Sequence, residues 1–397
     1  MIIANCGGRW LLLLVRLSIG DIFFAIIIDM KWSRSVPVEA FCGLYWRDRN
    51  WQKYVCPPYD VIPVGQEKRY QKLSPYNIVR LELPARIFKN NPYQQAGRLF
   101  QRWRKKKVLI SSRRPAFYLV EETFQQQKRR LRRRGFFGLF NLATKIYRHE
   151  KTLTAPRIDR RLCLTNIRAN TSAVFILVEN KKVKNLLASG TGQLMSRFQF
   201  NGVRYVIREI SEPDEIVRWQ QVLQKSNFYV ADGHHRLATA KRFGARYVLG
   251  YFVPTDSPGL VILPTHRVVS YSPELMARQK KYFRPAPATR AIFSVYHRGR
   301  LTGMNLANRY RPGNKLPAEI LKKFLLKDIP AEKIIYSHSD EEARKLAKSR
   351  GLVAYILPPT PLKIVLRYSR RGKVLPPKST YFYPKIIAGL VIYAYDR

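Results

Sequence analysis

Asp232-Gly233-His234-His235-Arg236 packs four ionisable side chains and one glycine into five consecutive positions. The apolar run Phe228 to Ala231 precedes them and a helical pattern, Leu237 to Phe243, follows, so the group falls where a strand hands over to a helix N-terminus. Such a terminus presents unpaired backbone N–H groups and a partial positive charge, and Gly233 lets a ligand approach the backbone closely. The chemistry is that of an anion site. Asp232 can serve as helix cap, metal ligand or base, and His234 and His235 as metal ligands or proton carriers. Arg236 can grip a phosphate or carboxylate with two parallel hydrogen bonds. The plainer alternative is a capped turn whose histidines satisfy backbone groups.

Other stretches carry chemistry of the same kind. In Cys56-Pro57-Pro58-Tyr59-Asp60 the two prolines stiffen the backbone and would hold Tyr59 and Asp60 in one orientation, Asp60 being either a functional carboxylate or a turn residue. In Ser74 to Glu82 the alternation predicts a strand, with Asn77 on one face and Arg80 and Glu82 on the other, where an ordinary ion pair would join the last two. His149-Glu150-Lys151-Thr152, continued by Arg157, Asp159, Arg160 and Asn170, is a second ionisable set; it is not HExxH, which removes a metalloprotease. Pro376 to Lys385 mixes cations, hydroxyls and aromatics between prolines, and Lys378, Ser379 and Thr380 suit phosphate contacts. There is no P-loop, GxSxG elbow or kinase catalytic loop.

The elements that must position these groups alternate between strand and helix. Helical spacing marks 93–106, 214–224, 317–326 and 340–350; strand-like runs fall at 117–120, 136–140, 174–178, 203–210, 228–231, 247–253, 260–263 and 352–357. The class is therefore mixed α/β (α+β). The basic run Lys128 to Arg134 lies between two of the strands and reads as a solvated hairpin loop. Residues 271–313 lose the pattern and read as a linker or irregular subdomain, which leaves an N-terminal extension at 1–33, a main domain at 34–270 and a C-terminal α/β segment at 314–397. The apolar run Ile386 to Tyr393 fits a closing strand or a short helix equally.

Composition limits the function classes. The 397 residues hold 73 Lys+Arg against 26 Asp+Glu, a formal charge of +47, while 46% are hydrophobic. That is a folded protein with a basic surface, able to associate nonspecifically with nucleic acid at low salt. Four cysteines lie far apart without zinc spacing and are expected to be reduced thiols in a cytoplasm. No stretch reaches the ~18 apolar residues of a membrane span. The Leu11 to Leu14 run after Arg9 raises a secretory signal as an alternative, against which Asp21 and Asp29 argue.

PPYDVI, SPYNIVRLELP, HEKT, Ala169-Asn170-Thr171-Ser172, ADGHHR, DSPGLVILPTHR and LPPKSTYFYPK occur in an order and spacing that resembles the bacterial and archaeal family called domain of unknown function 1015, which carries a SpoOJ/ParA/ParB/RepB-like label. The resemblance runs from about Val36 to the C-terminus. The DGHHR box is similar to that of the ParB/sulfiredoxin-like superfamily, which includes free-serine kinases and nucleotide-hydrolysing partition proteins. It implies a ParB/sulfiredoxin-like core at 34–270, a bound ATP or ADP with Mg²⁺, and phosphoryl transfer to a small hydroxyl substrate. On that reading Asp60, Glu150, Asp232, His234 and His235 are catalytic, with Asp232 at the metal. Gly233, His235, Arg236, His266, Arg267, Lys378, Ser379 and Thr380 hold the nucleotide, and Tyr59, Asn77, Arg80 and His149 face the substrate. Leu237 and Ala238 stand where the family commonly has Tyr-Glu. That departure keeps an inactive homologue in view, and the charge keeps a ParB-like DNA-binding protein in view. Sulfiredoxin chemistry would need a cysteine beside the phosphate loop, and none is there.

Overall fold

The runs VFILVE and YVLGYFVP place apolar side chains at both alternations, so strands built from them must be covered on two faces. They form the middle of a large sheet in the computed structural model, which describes residues 36–150, 154–308, 310, 315–348 and 351–395. The extension 1–33 with its leucine run, Cys6, Lys151, Thr152 and the side chain of Arg157 lie outside the described residues. The strands of this sheet are β1 (Val38–Glu39), β2 (Phe117–Gln126), β3 (Arg129–Asn141), β4 (Val174–Glu179), β5 (Gln193–Phe200), β6 (Val203–Ile210), β7 (Asn227–Asp232) and β8 (Tyr247–Pro254). Their order is β7-β4-β8-β3-β2-β6-β5, with β1 pairing the end of β3; only β4 and β8 run parallel.

Both faces are packed. On one, Tyr118, Phe137, Phe175, Leu177 and Tyr251 meet α1 (Pro92–Lys105) through Phe100 and Trp103, and α2 (Thr154–Ile167) through Cys163 and Ile167. On the other, Phe117, Phe136, Ile176, Val230 and Phe252 meet α3 (Lys181–Ser189), α4 (Pro213–Gln224) and α5 (His234–Arg242) through Leu186, Trp219 and Leu237. The architecture is mixed α/β, as expected.

A second, six-stranded antiparallel sheet follows, from His266–Ser270, Phe283–Pro285, Phe293–His297, Arg300–Leu306, Ile335–Ser337 and Leu352–Ile356. Three of these strands and the helix Pro273–Tyr282 occupy 271–313, the region expected to be a linker. Its prolines misled the reading: Pro285 ends a strand and Pro287 opens a 3-10 turn, positions where proline is tolerated. After the helix Leu362–Arg370 the chain returns to the large sheet. Tyr381–Tyr383 pairs with Val261–Leu263, Ala388 bridges Cys56, Ile392 bridges Leu44, and Tyr393–Ala394 pairs with Ala169–Asn170. The run 386–393 is thus neither a helix nor one strand. It is buried chain held by scattered bridges.

Two further expectations fail for local reasons. Lys128 to Arg134 is not a loop. Gln127 and Lys128, both at positive φ (48° and 62°), make a two-residue turn, and Arg129 onward is strand, with Arg133 pointing into the core. Asn77 to Glu82 is not a strand: Asn77 Oδ1 accepts from Val79 N at 3.0 Å, and Val79–Glu82 forms a helical turn. Glu82 pairs with Arg160 at 3.5 Å instead of Arg80.

Candidate functional site

Asp232 ends β7 just past a register shift at Ala231, a bulge of the sort that re-aims a side chain. Gly233 follows at φ 86°, and α5 starts at His234. A Cβ at 233 would sit 3.0 Å from Arg236 Nε, because the arginine folds back over the glycine. Arg236 Nη2 donates to Asp232 Oδ2 at 2.9 Å and its Nη1 donates to Ala173 O. The other oxygen of Asp232 accepts from Lys385 Nζ at 2.7 Å, a residue brought in by the returning C-terminal chain. One carboxylate is held between two cations. Burial opposes its charge, but Lys385 and then Arg236 hold it well below the usual carboxylate range. Burial likewise opposes the Lys385 charge, and Asp232 and Asp60 together outweigh it.

The loop before α2 adds a second group. Tyr147 bridges Tyr229, so the chain at 147–150 runs beside β7 and delivers His149 and Glu150 to the start of α5. The rings of His149 and His234 meet edge-to-face, with centroids 4.7 Å apart. His234 Nδ1 lies 3.5 Å from Glu150 Oε2, while Glu150 Oε1 accepts from the backbone N–H of Lys378 at 3.3 Å. His149 Nε2 meets Thr380 Oγ1 at 3.2 Å. Burial favours the neutral form of both histidines, pushing His149 down to about 4 and His234 well below its usual value, and burial raises the Glu150 carboxyl. His234 Nε2 and Arg236 Nε are buried without a hydrogen-bond partner. Such orphaned polar groups mark places where a ligand atom or water belongs.

The remaining expected residues divide. Asp60 is exposed, and its charge bears on Lys385 and Tyr381; Tyr59 lies beneath the Arg160 guanidinium, 4.0 Å from the ring centroid, and feels Asp60, Arg236 and Asp232. These belong to the cluster, as does His235 on the first turn of α5. His266 and Arg267 lie one layer away. His266 Nδ1 accepts from Leu357 N at 3.1 Å and its Nε2 is 3.0 Å from Asp340, whereas Arg267 donates to the carbonyls of Thr265 and Lys378. Ser379 turns inward, donating to Pro376 O at 2.7 Å. Asn77 and Arg80 are not gathered here: Asn77 is fully buried, donating to Lys53 O and Val55 O at 2.9 Å each.

Lys385, Tyr381 and His338 were not singled out by the sequence reading. Lys385 lies over the Tyr381 ring at 4.7 Å, and His338 stacks on the same ring at 3.7 Å. The signal for Lys385 was its place at the end of the Pro376 to Lys385 stretch; nothing in the chain pointed to His338. The cluster is close-packed rather than hollow. Space opens beside it, in a cavity of about 640 Å³ lined by Glu150, Lys145, Tyr147, Arg148 and Arg370.

The arrangement can hold an anion at the start of α5 and move a proton at Glu150. It offers Mg²⁺ less. Both oxygens of Asp232 are taken by cations, and no group of three metal-ligating side chains occurs among the described residues. Cys56 and Cys163 are free thiols, with Cys56 pushed well up by burial. No helix among the described residues is long and apolar enough to cross a membrane.

No curated protein matches the chain in sequence. Among solved structures, a free serine kinase in complex with AMP is 14% identical with a TM-score of 0.39, the match covering 64% of this chain and 92% of the other. A conserved hypothetical protein from Pyrococcus furiosus is 15% identical at a TM-score of 0.38, covering 63% and 92%. SbnI with a C-terminal truncation, from Staphylococcus aureus, is 10% identical at 0.42, covering 65% and 87%. The sequence profile of the family described as protein of unknown function (DUF1015) matches residues 38–343, which include β1, the Asp232 loop and most of the second sheet, and the chain belongs to that family.

Proposed function

We propose that the chain binds a nucleotide and transfers a phosphoryl group from it to a small hydroxyl compound, in the manner of the ParB/sulfiredoxin-like kinases. The observation that carries this reading is the clasp of Arg236 and Lys385 on Asp232 at the start of α5, with Glu150 and two neutral histidines beside it. Phosphoryl transfer needs positioning and cancellation of oxygen charge, and little else from a protein.

The phosphates would lie at the start of α5, where the orphaned Arg236 Nε is available to donate and His234 Nε2 is unpaired. Lys385 and the exposed Lys378 add positive charge around them. Glu150, its carboxyl raised by burial and its side chain at the rim of the cavity, is placed to accept the proton of the attacking hydroxyl. That oxygen then bonds the terminal phosphorus as the nucleotide's bridging oxygen leaves. Asp60, which is exposed, rather than Asp232, is the carboxylate that would hold Mg²⁺ together with phosphate oxygens. When bound, the ion would neutralise charge on the transferring group.

Serine is the acceptor to assay because the DGHHR box resembles that of free-serine kinases. Purified protein incubated with ATP or ADP, Mg²⁺ and serine is expected to turn over nucleotide and to melt at a higher temperature with nucleotide than without. Absence of both turnover and any nucleotide-dependent shift overturns the proposal.

A further inference from the structure

The basic run that the sequence presents as a loop is, in the fold, half of an arginine-lined concavity on the large sheet. Arg130, Arg132 and Arg134 of β3 alternate with the inward Leu131 and Arg133; the register sets Thr123 between Arg132 and Arg204, and Glu121 beside Arg134. Arg204 and Arg208 of β6 and Arg197 of β5 share that face, and the six arginines line a hollow of about 520 Å³. At one end α3 covers Leu119 and stops at Gly190, and beyond it the arginines line the hollow. The face opposite carries the buried core of Tyr205 and the Glu122–Arg133 pair.

The charge in this hollow is not balanced from within. Its one acid, Glu121, takes Arg134 at 2.7 Å and lies 3.9 Å from Arg132, and Arg208 donates to Gly192 O at 3.3 Å. Among the described residues, the side chains of Arg130, Arg197 and Arg204 have no hydrogen bond or ion pair to the protein, and all three residues are exposed. Alternate residues on one strand stand about 6.8 Å apart and alternate strands about 10 Å apart, so the guanidinium groups form a two-dimensional array instead of a single cup. Guanidinium forks match phosphate oxygens in pairs. No aromatic ring lines the hollow, so bases have nothing to stack on.

We propose that this face binds the phosphodiester backbone of a nucleic acid without reading its sequence. The site is separate from the Asp232 cluster and does not depend on the phosphotransferase reading. The test is fluorescence anisotropy with a labelled single-stranded RNA and a labelled DNA duplex, over a range of salt, on three full-length proteins. These are the unaltered chain, the triple variant Arg130→Glu, Arg197→Glu, Arg204→Glu, and a control triple Lys322→Glu, Lys345→Glu, Lys363→Glu that changes the net charge equally at exposed positions elsewhere. The arginine triple is expected to lose affinity about tenfold or more and to lower the salt slope by about 3, one unit for each lost phosphate contact, with the control changing affinity less than about twofold. An Arg→Gln triple at the same three positions, with an unchanged melting temperature, is expected to show the same direction of loss. Equal loss in the arginine and control triples, or no loss in either, overturns the proposal, since binding would then follow net charge alone. Patch-dependent binding of inorganic polyphosphate but of neither nucleic acid also overturns it.

Discussion

Asp232 shows how one carboxylate can organise a basic neighbourhood. With Lys385 at 2.7 Å and Arg236 at 2.9 Å, its removal strands two largely buried cations. Asp232→Asn is expected to cost about 3 kcal/mol of folding stability, measured by denaturant unfolding, because an uncompensated buried charge is costlier than the lost contact itself; an unchanged midpoint would contradict the clasp. The histidines give a pH signature of defined sign. His149 and His338 are pushed from 6.5 to about 4 by burial, so below pH 6.5 the unfolded chain binds more protons than the folded one. Their contribution is therefore intact above 6.5 and declines as pH falls toward 4, each such histidine adding a slope of about 1.4 kcal/mol per pH unit. His149→Gln is expected to flatten that decline in a series of melts across the window, and an unchanged slope would count against a neutral buried His149.

Elements decide which of these side chains meet. The strand β7 and helix α5 are legible in the sequence because an apolar run, a glycine and a helical pattern follow one another directly. The hairpin β2–β3 is legible as such, but the inward turn of Arg133 is not, since a run of cations reads as loop and masks the alternation of Arg129 to Arg134. Arg133 gives two hydrogen bonds to Glu122, at 2.6 and 2.8 Å, and donates to the carbonyls of Tyr383 and Pro384, immediately before Lys385. Arg133→Met should destabilise the protein by about 3–5 kcal/mol, whereas the pair Glu122→Leu with Arg133→Met should recover most of it. Urea midpoints of the single and double variants check this, and a double variant as weak as the single would mean that the arginine acts mainly through the C-terminal carbonyls. At Gly233 any side chain meets strain at φ 86° and crowds Arg236, so Gly233→Ala is expected to lose about 1–2 kcal/mol and to displace the guanidinium. Thermal melts read the first effect.

At the scale of the whole fold, the Asp232 cluster forms because the C-terminal stretch returns to the large sheet beside Leu44 and Cys56. Residues 386–392 bury Ile386, Ile387, Ala388, Leu390, Val391 and Ile392 against the large sheet and so bring Lys378, Thr380 and Lys385 to Asp232. Sequence patterning singled out Asp60, His149, Glu150, Asp232 to Arg236 and Lys378, which the fold brings near one another, because each stands in a polar string between apolar runs. It misplaced Asn77 and Arg80, whose string serves a backbone turn, and it gave no sign of His338, since long-range packing leaves no local periodicity. Under the proposed function the Arg236–Lys385 clasp receives phosphate. Calorimetric titration of ATP and ADP with Mg²⁺ into the unaltered protein and into Lys385→Met tests it most directly. Saturable binding that weakens about tenfold or more in Lys385→Met is the expected result, in line with the strength of charge-assisted hydrogen bonds to phosphate. Absence of saturable binding to the unaltered protein, or equal affinity in the two, would contradict it.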